Sequence, residues 1–216
     1  MTRKDELVDA ALTHALFDGF SPAAIEAARA DLGMSAAEAR ALLPKGAVDL
    51  ALAYHRRGDE QMVELLRAED LSQMRFRDRI AHAVRLRLKV ADRELVRRGF
   101  ALFALPQHAA AGSRALWETA DHIWTTLGDT SRDINWYTKR ASLSAVYSAT
   151  ALYWLGDESE DNRDTWAFLD RRIENVMQFE KVKAQAKANP LGKAFMAGPG
   201  KLFDLVRAPQ HAGHGK

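Results

Sequence analysis

Leu32-Gly33-Met34-Ser35-Ala36-Ala37-Glu38-Ala39-Arg40-Ala41-Leu42-Leu43-Pro44-Lys45 decides how the chain begins. A glycine just past a helical run suits the left-handed position that ends a helix. Ser35 follows at the right distance for an N-cap, with Glu38 three residues on as a capping-box partner. Pro44 stops the short helix. The segment therefore reads as the end of one helix, a tight glycine turn and a short capped helix. Upstream, Gly19-Phe20-Ser21-Pro22 repeats the punctuation: it closes a helix over about residues 4–17, with Leu7, Ala11, Ala15 and Leu16 on one face, and opens the next.

Beyond Gly46 the apolar spacing predicts longer helices over 47–68, 72–98, 113–127, 134–155 and 164–187. Leu105-Pro106-Gln107-His108 breaks the middle, and Gly128 and Gly156 each open a polar connection. Alternating runs bounded by turns are missing, so the expected class is all-α. Hydrophobic residues make up 47% of the 216 and charged residues 28%, with a net charge of +2. Global charge thus gives no argument for nucleic acid. Cysteine is absent, which excludes disulfides, thiolate metal sites and a cysteine nucleophile. The first residues carry no apolar signal region and no run of ~18 apolar residues occurs, so membrane contact is expected to be peripheral.

No phosphate-binding glycine loop, nucleophile elbow or His-Glu-x-x-His helix is present. Glu118, Asp121 and His122 share one helical turn, but other helices lack the matching Glu-x-x-His pattern that a carboxylate-bridged metal pair needs. The expectation is no catalytic residue, no metal and no cofactor. Between Leu71 and Arg98, nine basic residues stand against three acidic ones, a local balance of +6, beside a stripe of Phe76, Ile80, Val84 and Leu88. That pattern fits either a solvated face on a core helix or a surface for phosphates.

Three short helices before a long one resemble the layout of TetR-type regulators, with Leu7 to Leu12, Gly19-Phe20, Leu32 to Ser35 and Leu43-Pro44-Lys45 at matching places. The would-be recognition helix departs from that family: it is rich in alanine, with one Arg and one Glu, and offers few donors to bases or phosphates. The expectation is a retained scaffold over residues 1–46 without nucleic-acid binding, the alternative being a ligand-responsive regulator.

Asp129-Thr130-Ser131-Arg132-Asp133-Ile134-Asn135-Trp136-Tyr137-Thr138-Lys139-Arg140-Ala141 is the most distinctive stretch, followed by Asp164-Thr165-Trp166 at a helix start. All five tryptophans fall between Trp117 and Trp166. Such rings form either a core or the lining of a cavity for a large apolar ligand. Asn135-Trp136-Tyr137-Thr138, Arg140-Ala141 and Asp164-Thr165-Trp166, with Arg77-Asp78, Arg85-Leu86 and Ala104-Leu105-Pro106 upstream, closely resemble the coenzyme Q (ubiquinone) biosynthesis protein 9 family. The resemblance implies a TetR-like bundle that is not an enzyme. It binds an isoprenoid lipid, a ubiquinone precursor, in a helical domain over 47–188, and it supports a demethoxyubiquinone-type hydroxylase as a homodimer. Lipid-lining candidates are Trp117, Trp124, Leu143, Tyr147, Trp154 and Trp166. Asp121, Trp136, Tyr137 and Arg140 are candidates for docking the hydroxylase, an exposed aromatic pair beside an Arg having the composition of an interface hot spot. An amphipathic tail over 189–207 places Leu191, Phe195, Leu202 and Val206 toward a membrane surface, with Lys193 and Lys201 toward headgroups, interrupted by Gly198-Pro199-Gly200. Residues 208–216 read as unstructured. The location expected is the bacterial cytoplasm, peripheral on the inner membrane.

Overall fold

The structure, a computed structural model, describes residues 2–188 and 207–208, with side chains over 2–178 and 207–208. Its described residues form an all-α fold of nine helices: α1 (Arg3–Asp18), α2 (Pro22–Asp31), α3 (Ala36–Leu42), α4 (Ala47–Ala68), α5 (Phe76–Lys89), α6 (Arg93–Phe103), α7 (Ala109–Thr126), α8 (Ile134–Leu155) and α9 (Arg163–Ala188). The expected tail residues Leu191, Lys193, Phe195, Lys201, Leu202 and Val206 lie outside the described set.

The caps form as the punctuation predicts. Ser21 accepts from the Ala24 N–H, and Ser35 from the Glu38 N–H at 3.1 Å. Gly33 takes φ +60°, the left-handed conformation that its place in the turn requires. Glu38 does not close the box on Ser35; its carboxylate pairs instead with Arg3 across the module. The single helix expected over 72–98 is two. Asp92 breaks it by turning its carboxylate onto the Leu95 N–H at 2.9 Å, acting as the N-cap of α6. The helix expected from residue 113 begins earlier, at Ala109, directly after the Pro106 break.

Two apolar cores result. The first gathers Leu7, Val8, Ala11, Ala15, Ala24, Ala28, Met34 and Leu43 with Leu50 and Ala51 from α4 and Leu95 from α6. The second gathers Met62 and Leu66 of α4 with Ile80, Val84 and Leu88, then Ile123, Trp124, Leu143, Trp154, Leu169 and Ile173. α4 runs through both, because its amphipathic face continues past the end of the three-helix module.

Candidate functional site

A cavity of about 320 Å³ opens where the two cores meet. Phe20, Ala51 and Tyr54 line it from the N-terminal side, Val96, Gly99, Phe100 and Phe103 from α6, Gly112, Ala115 and Leu116 from α7, and Tyr147 and Leu152 from α8. Gly112 permits the α6–α7 approach: a Cβ there would sit 2.6 Å from the Phe103 Cβ. The volume is at the small end of the ~300–1,000 Å³ usual for ligand pockets, and the lining is mainly apolar and aromatic.

The inner end is polar. Arg87 is 2% exposed, and its Nε donates to Asp59 at 2.6 Å while Nη2 donates to the His55 carbonyl at 2.9 Å. Thr119 Oγ1 lies 2.9 Å from Asp59 and 2.7 Å from His55 Nε2. Burial lowers the His55 pKa below the usual 6.5, Asp59 opposing and Arg87 reinforcing the shift, so the ring is neutral at pH 7. Burial pushes the Tyr147 phenol up to about 12, which keeps it a proton donor. Gly58 makes the arrangement possible, since a Cβ there would meet the Arg87 guanidinium at 2.6 Å. Sequence reasoning missed His55, Asp59, Arg87 and Thr119 as a group. A signal existed: Arg87 and Asp59 interrupt otherwise apolar helix faces.

Of the lipid-lining candidates, Tyr147 alone borders this cavity. Trp117 packs on Trp136 and Tyr137, with centroids 5.8 and 6.3 Å away. Trp124 donates its indole N–H to the Lys139 carbonyl at 3.1 Å, Leu143 is core, Trp154 lies beneath Arg93 at 4.8 Å, and Trp166 donates to the Asp161 carbonyl. These rings are held by local partners around the second core.

The docking candidates do come together, but the expectation of an exposed Trp–Tyr pair beside an Arg needs correction. Trp136 is 7% and Arg140 2% exposed. Arg140 sits over the Trp136 ring at 4.1 Å and bridges Asp121 and Asp129, at 3.0 Å to the latter. An Arg flanked by two carboxylates and stacked on an indole is better satisfied inside than at a surface. Burial raises the Asp129 pKa, but hydrogen bonds from Lys139, Ser131 and Arg140 outweigh it and hold the carboxyl at about 2. Tyr137 remains half-buried above this layer, edge-on to Trp136 at 4.8 Å. Its hydroxyl donates to the Arg207 carbonyl at 3.2 Å, and Ala208, placed by sequence in an unstructured end, donates its N–H to the Arg132 carbonyl at 3.0 Å.

The basic stretch is largely occupied from within. Arg75 pairs with Asp78, Arg77 with Glu174, Arg85 with Asp170, and Arg97 and Arg98 with Glu94. Arg79 and Arg93 donate to backbone carbonyls. Glu118 pairs with Arg114, away from Asp121, and no metal-holding group of side chains occurs among the described residues. No described helix is long and apolar enough to cross a membrane.

Residues 109–180 match the family model described as COQ9, a span that carries α7, α8, the Trp136–Arg140 layer and one wall of the cavity. The chain is 33% identical over 183 residues to the mitochondrial ubiquinone biosynthesis protein COQ9 of Xenopus tropicalis, covering 81% of this chain and 57% of that protein. It is 30% identical over 201 residues to the Homo sapiens protein of the same name, covering 89% and 62%. The chain thus spans less than two thirds of the length of these relatives. Among solved structures, a TetR transcriptional regulator from Nitrosomonas europaea superposes with a TM-score of 0.60 at 20% identity, covering 81% of this chain and 98% of that one, a likeness of fold.

Proposed function

We propose that the chain is a member of the COQ9 family, which it resembles at 30–33% identity over most of its length, and that it acts in ubiquinone biosynthesis as a lipid-binding accessory protein. It takes an isoprenoid quinone precursor at a membrane surface and presents it to a demethoxyubiquinone-type hydroxylase. The observation that carries this reading is the apolar cavity against helices of the family-matching segment. Its size suits a ring and the first isoprene units, so a longer chain must continue out past Leu152.

In this reading, Trp117 and Tyr137 form the docking surface together with the half-exposed Asp121, and buried Trp136 and Arg140 stiffen it from below. Leu191, Phe195, Leu202 and Val206, with Lys193 and Lys201, hold the protein on an anionic bilayer, as sequence alone suggests. The regulator reading gains little from α3, whose exposed residues are Ala36, Ala37, Arg40 and Ala41.

Native mass spectrometry with lipid extraction tests the proposal. A co-purified isoprenoid quinone precursor is expected, and protein isolated from a ubiquinone-producing host with no isoprenoid bound would sink it. In the same preparation, Tyr137→Lys should lose the hydroxylase while Tyr137→Phe, which keeps the ring on Trp136 and loses only the bond to the Arg207 carbonyl, should keep most of it and melt almost unchanged. Truncation after Ala188 should weaken sedimentation with anionic liposomes; unchanged sedimentation removes the tail from the proposal.

A further inference from the structure

The cavity has two unlike ends. At the outer end, Ala104, Ala109, Ser113 and Leu152 are exposed, Leu152 at 54%. At the inner end, Tyr147 is 3% exposed; its hydroxyl makes no hydrogen bond to another described residue and is not among the sealed polar atoms without a partner, so its small accessible area belongs to the cavity that the residue lines. A donor that opens only onto a cavity is met by whatever fills that cavity, water or an acceptor carried by a ligand. Beside it, Arg87 lies 5.9 Å from the Tyr147 ring centroid. The guanidinium uses Nε and Nη2 on Asp59 and His55, and its Nη1 makes no hydrogen bond to another described residue. Tyr147 and Arg87 both line the cavity, and each keeps one donor without an acceptor on the described protein.

The charge at this end is already balanced. Asp59 neutralises Arg87 in a buried pair and His55 is neutral, so an incoming anion finds no unmatched cation. A hydrocarbon alone leaves both donors unmet. What fits is a neutral group with an accepting oxygen, carried on an apolar body that packs against Phe100, Phe103 and Leu116.

We infer that the cavity binds its ligand head-inward, with a neutral acceptor oxygen of quinone-carbonyl type at Tyr147 Oη and Arg87 Nη1 and the apolar chain leaving past Leu152. The inference rests on the lipid-binding reading above and adds orientation and headgroup chemistry. Tyr147 is then a specificity-determining residue, and the Asp59–Thr119–His55 network positions Arg87.

The test uses the full chain and two probes in the same non-ionic detergent: a 1,4-benzoquinone bearing a decyl chain, and decylbenzene, which keeps ring and chain but has no oxygen. Isothermal titration of Tyr147→Phe against wild type should show the quinone weakened roughly three- to tenfold, the scale of one hydrogen bond, and decylbenzene unchanged. The melting temperature should not fall, because the lost hydroxyl had no protein partner. Independently, infrared spectra of the wild-type complex should show one quinone carbonyl stretch moved to lower wavenumber, a shift reduced in Tyr147→Phe. Equal weakening of both probes, no change for either, an unshifted carbonyl, or dodecanoate binding tighter than the quinone at pH 8 overturns the inference and leaves lipid binding standing. Failure of wild type to bind either probe overturns both.

Discussion

Arg87 and Arg140 are the two largest fully buried side chains, each 2% exposed, and their surroundings use the same chemistry to different ends. Each pairs with a carboxylate and each lies near an aromatic ring, Tyr147 at 5.9 Å and Trp136 at 4.1 Å. Around Arg140, Nε is taken by Asp121 and Nη1 by Asp129 and the Trp136 carbonyl, the guanidinium lies over the Trp136 indole, and Lys139 shares Asp129. Arg87, unlike Arg140, lines the cavity. A buried cation can thus either fasten two helices or hold donors ready at the end of a pocket, and the difference lies in whether a cavity borders the guanidinium.

The comparison breaks first on stability. Asp59 is 1% exposed and has Arg87 as its cationic partner with Thr119 as a hydroxyl donor, so Arg87→Met leaves a buried carboxylate without a counter-charge. A loss of about 3–5 kcal/mol is expected in urea denaturation. Arg140→Met should cost roughly half as much, because Asp129 keeps Lys139 and Ser131 and Asp121 reaches solvent. Equal losses, or the reverse order, would mean that the two environments do not differ as described.

A pH titration sharpens the Arg140 side. The Asp129 carboxyl is held at about 2 in the folded state, below its usual 3.8. Its contribution is therefore fully present above pH ~4 and is lost as pH falls toward ~2, an effect of about 2 kcal/mol. Asp129→Asn should be less stable than wild type at pH 6, with the gap closing by pH 2. A gap constant across that window removes the assigned network.

Two glycines sharpen the cavity side with opposite signs. Gly112→Ala drives a methyl into Phe103 and should destabilise by about 1–2 kcal/mol. Gly99 lies inside α6, and a Cβ there meets Phe20 at an ordinary 3.7 Å, so Gly99→Ala should stabilise by about 0.5–1 kcal/mol. Thermal melts giving the same sign for both would show that the cavity wall relaxes freely.

Helix punctuation made much of this fold legible in sequence. Ser21, Gly33, Ser35 and Pro44 each act locally, so their readings needed no tertiary knowledge. Asp92 escaped because the apolar stripe runs on across it, and only the cap on Leu95 shows that the helix has ended. The site was legible in part. Trp136, Tyr137 and Arg140 cluster because they are neighbours on one helix, yet their burial depends on α7 and the Asp129 loop, which spacing does not reveal. The lipid-lining candidates were chosen mainly for ring size, but Trp124, Trp154 and Trp166 pack in or beside the second core, Trp117 joins Trp136 and Tyr137, and the cavity is lined largely by α6 and α7. Face analysis would have served better: His55, Asp59, Met62 and Leu66 recur at helical spacing, and a charged pair member on such a face asks for a partner from elsewhere.

α4 belongs to two cores at once, with Leu50 and Ala51 in the first and Met62 and Leu66 in the second. A division of the chain after residue 46 therefore cuts composition but not cooperativity. The three N-terminal helices lean on α4 and on Leu95, so they cannot open to solvent without uncovering the helix that floors the larger bundle. In hydrogen-exchange terms, the amides in the middle of α4 are expected to open only with the whole molecule, the two regions unfolding as a single unit rather than as separate foldons.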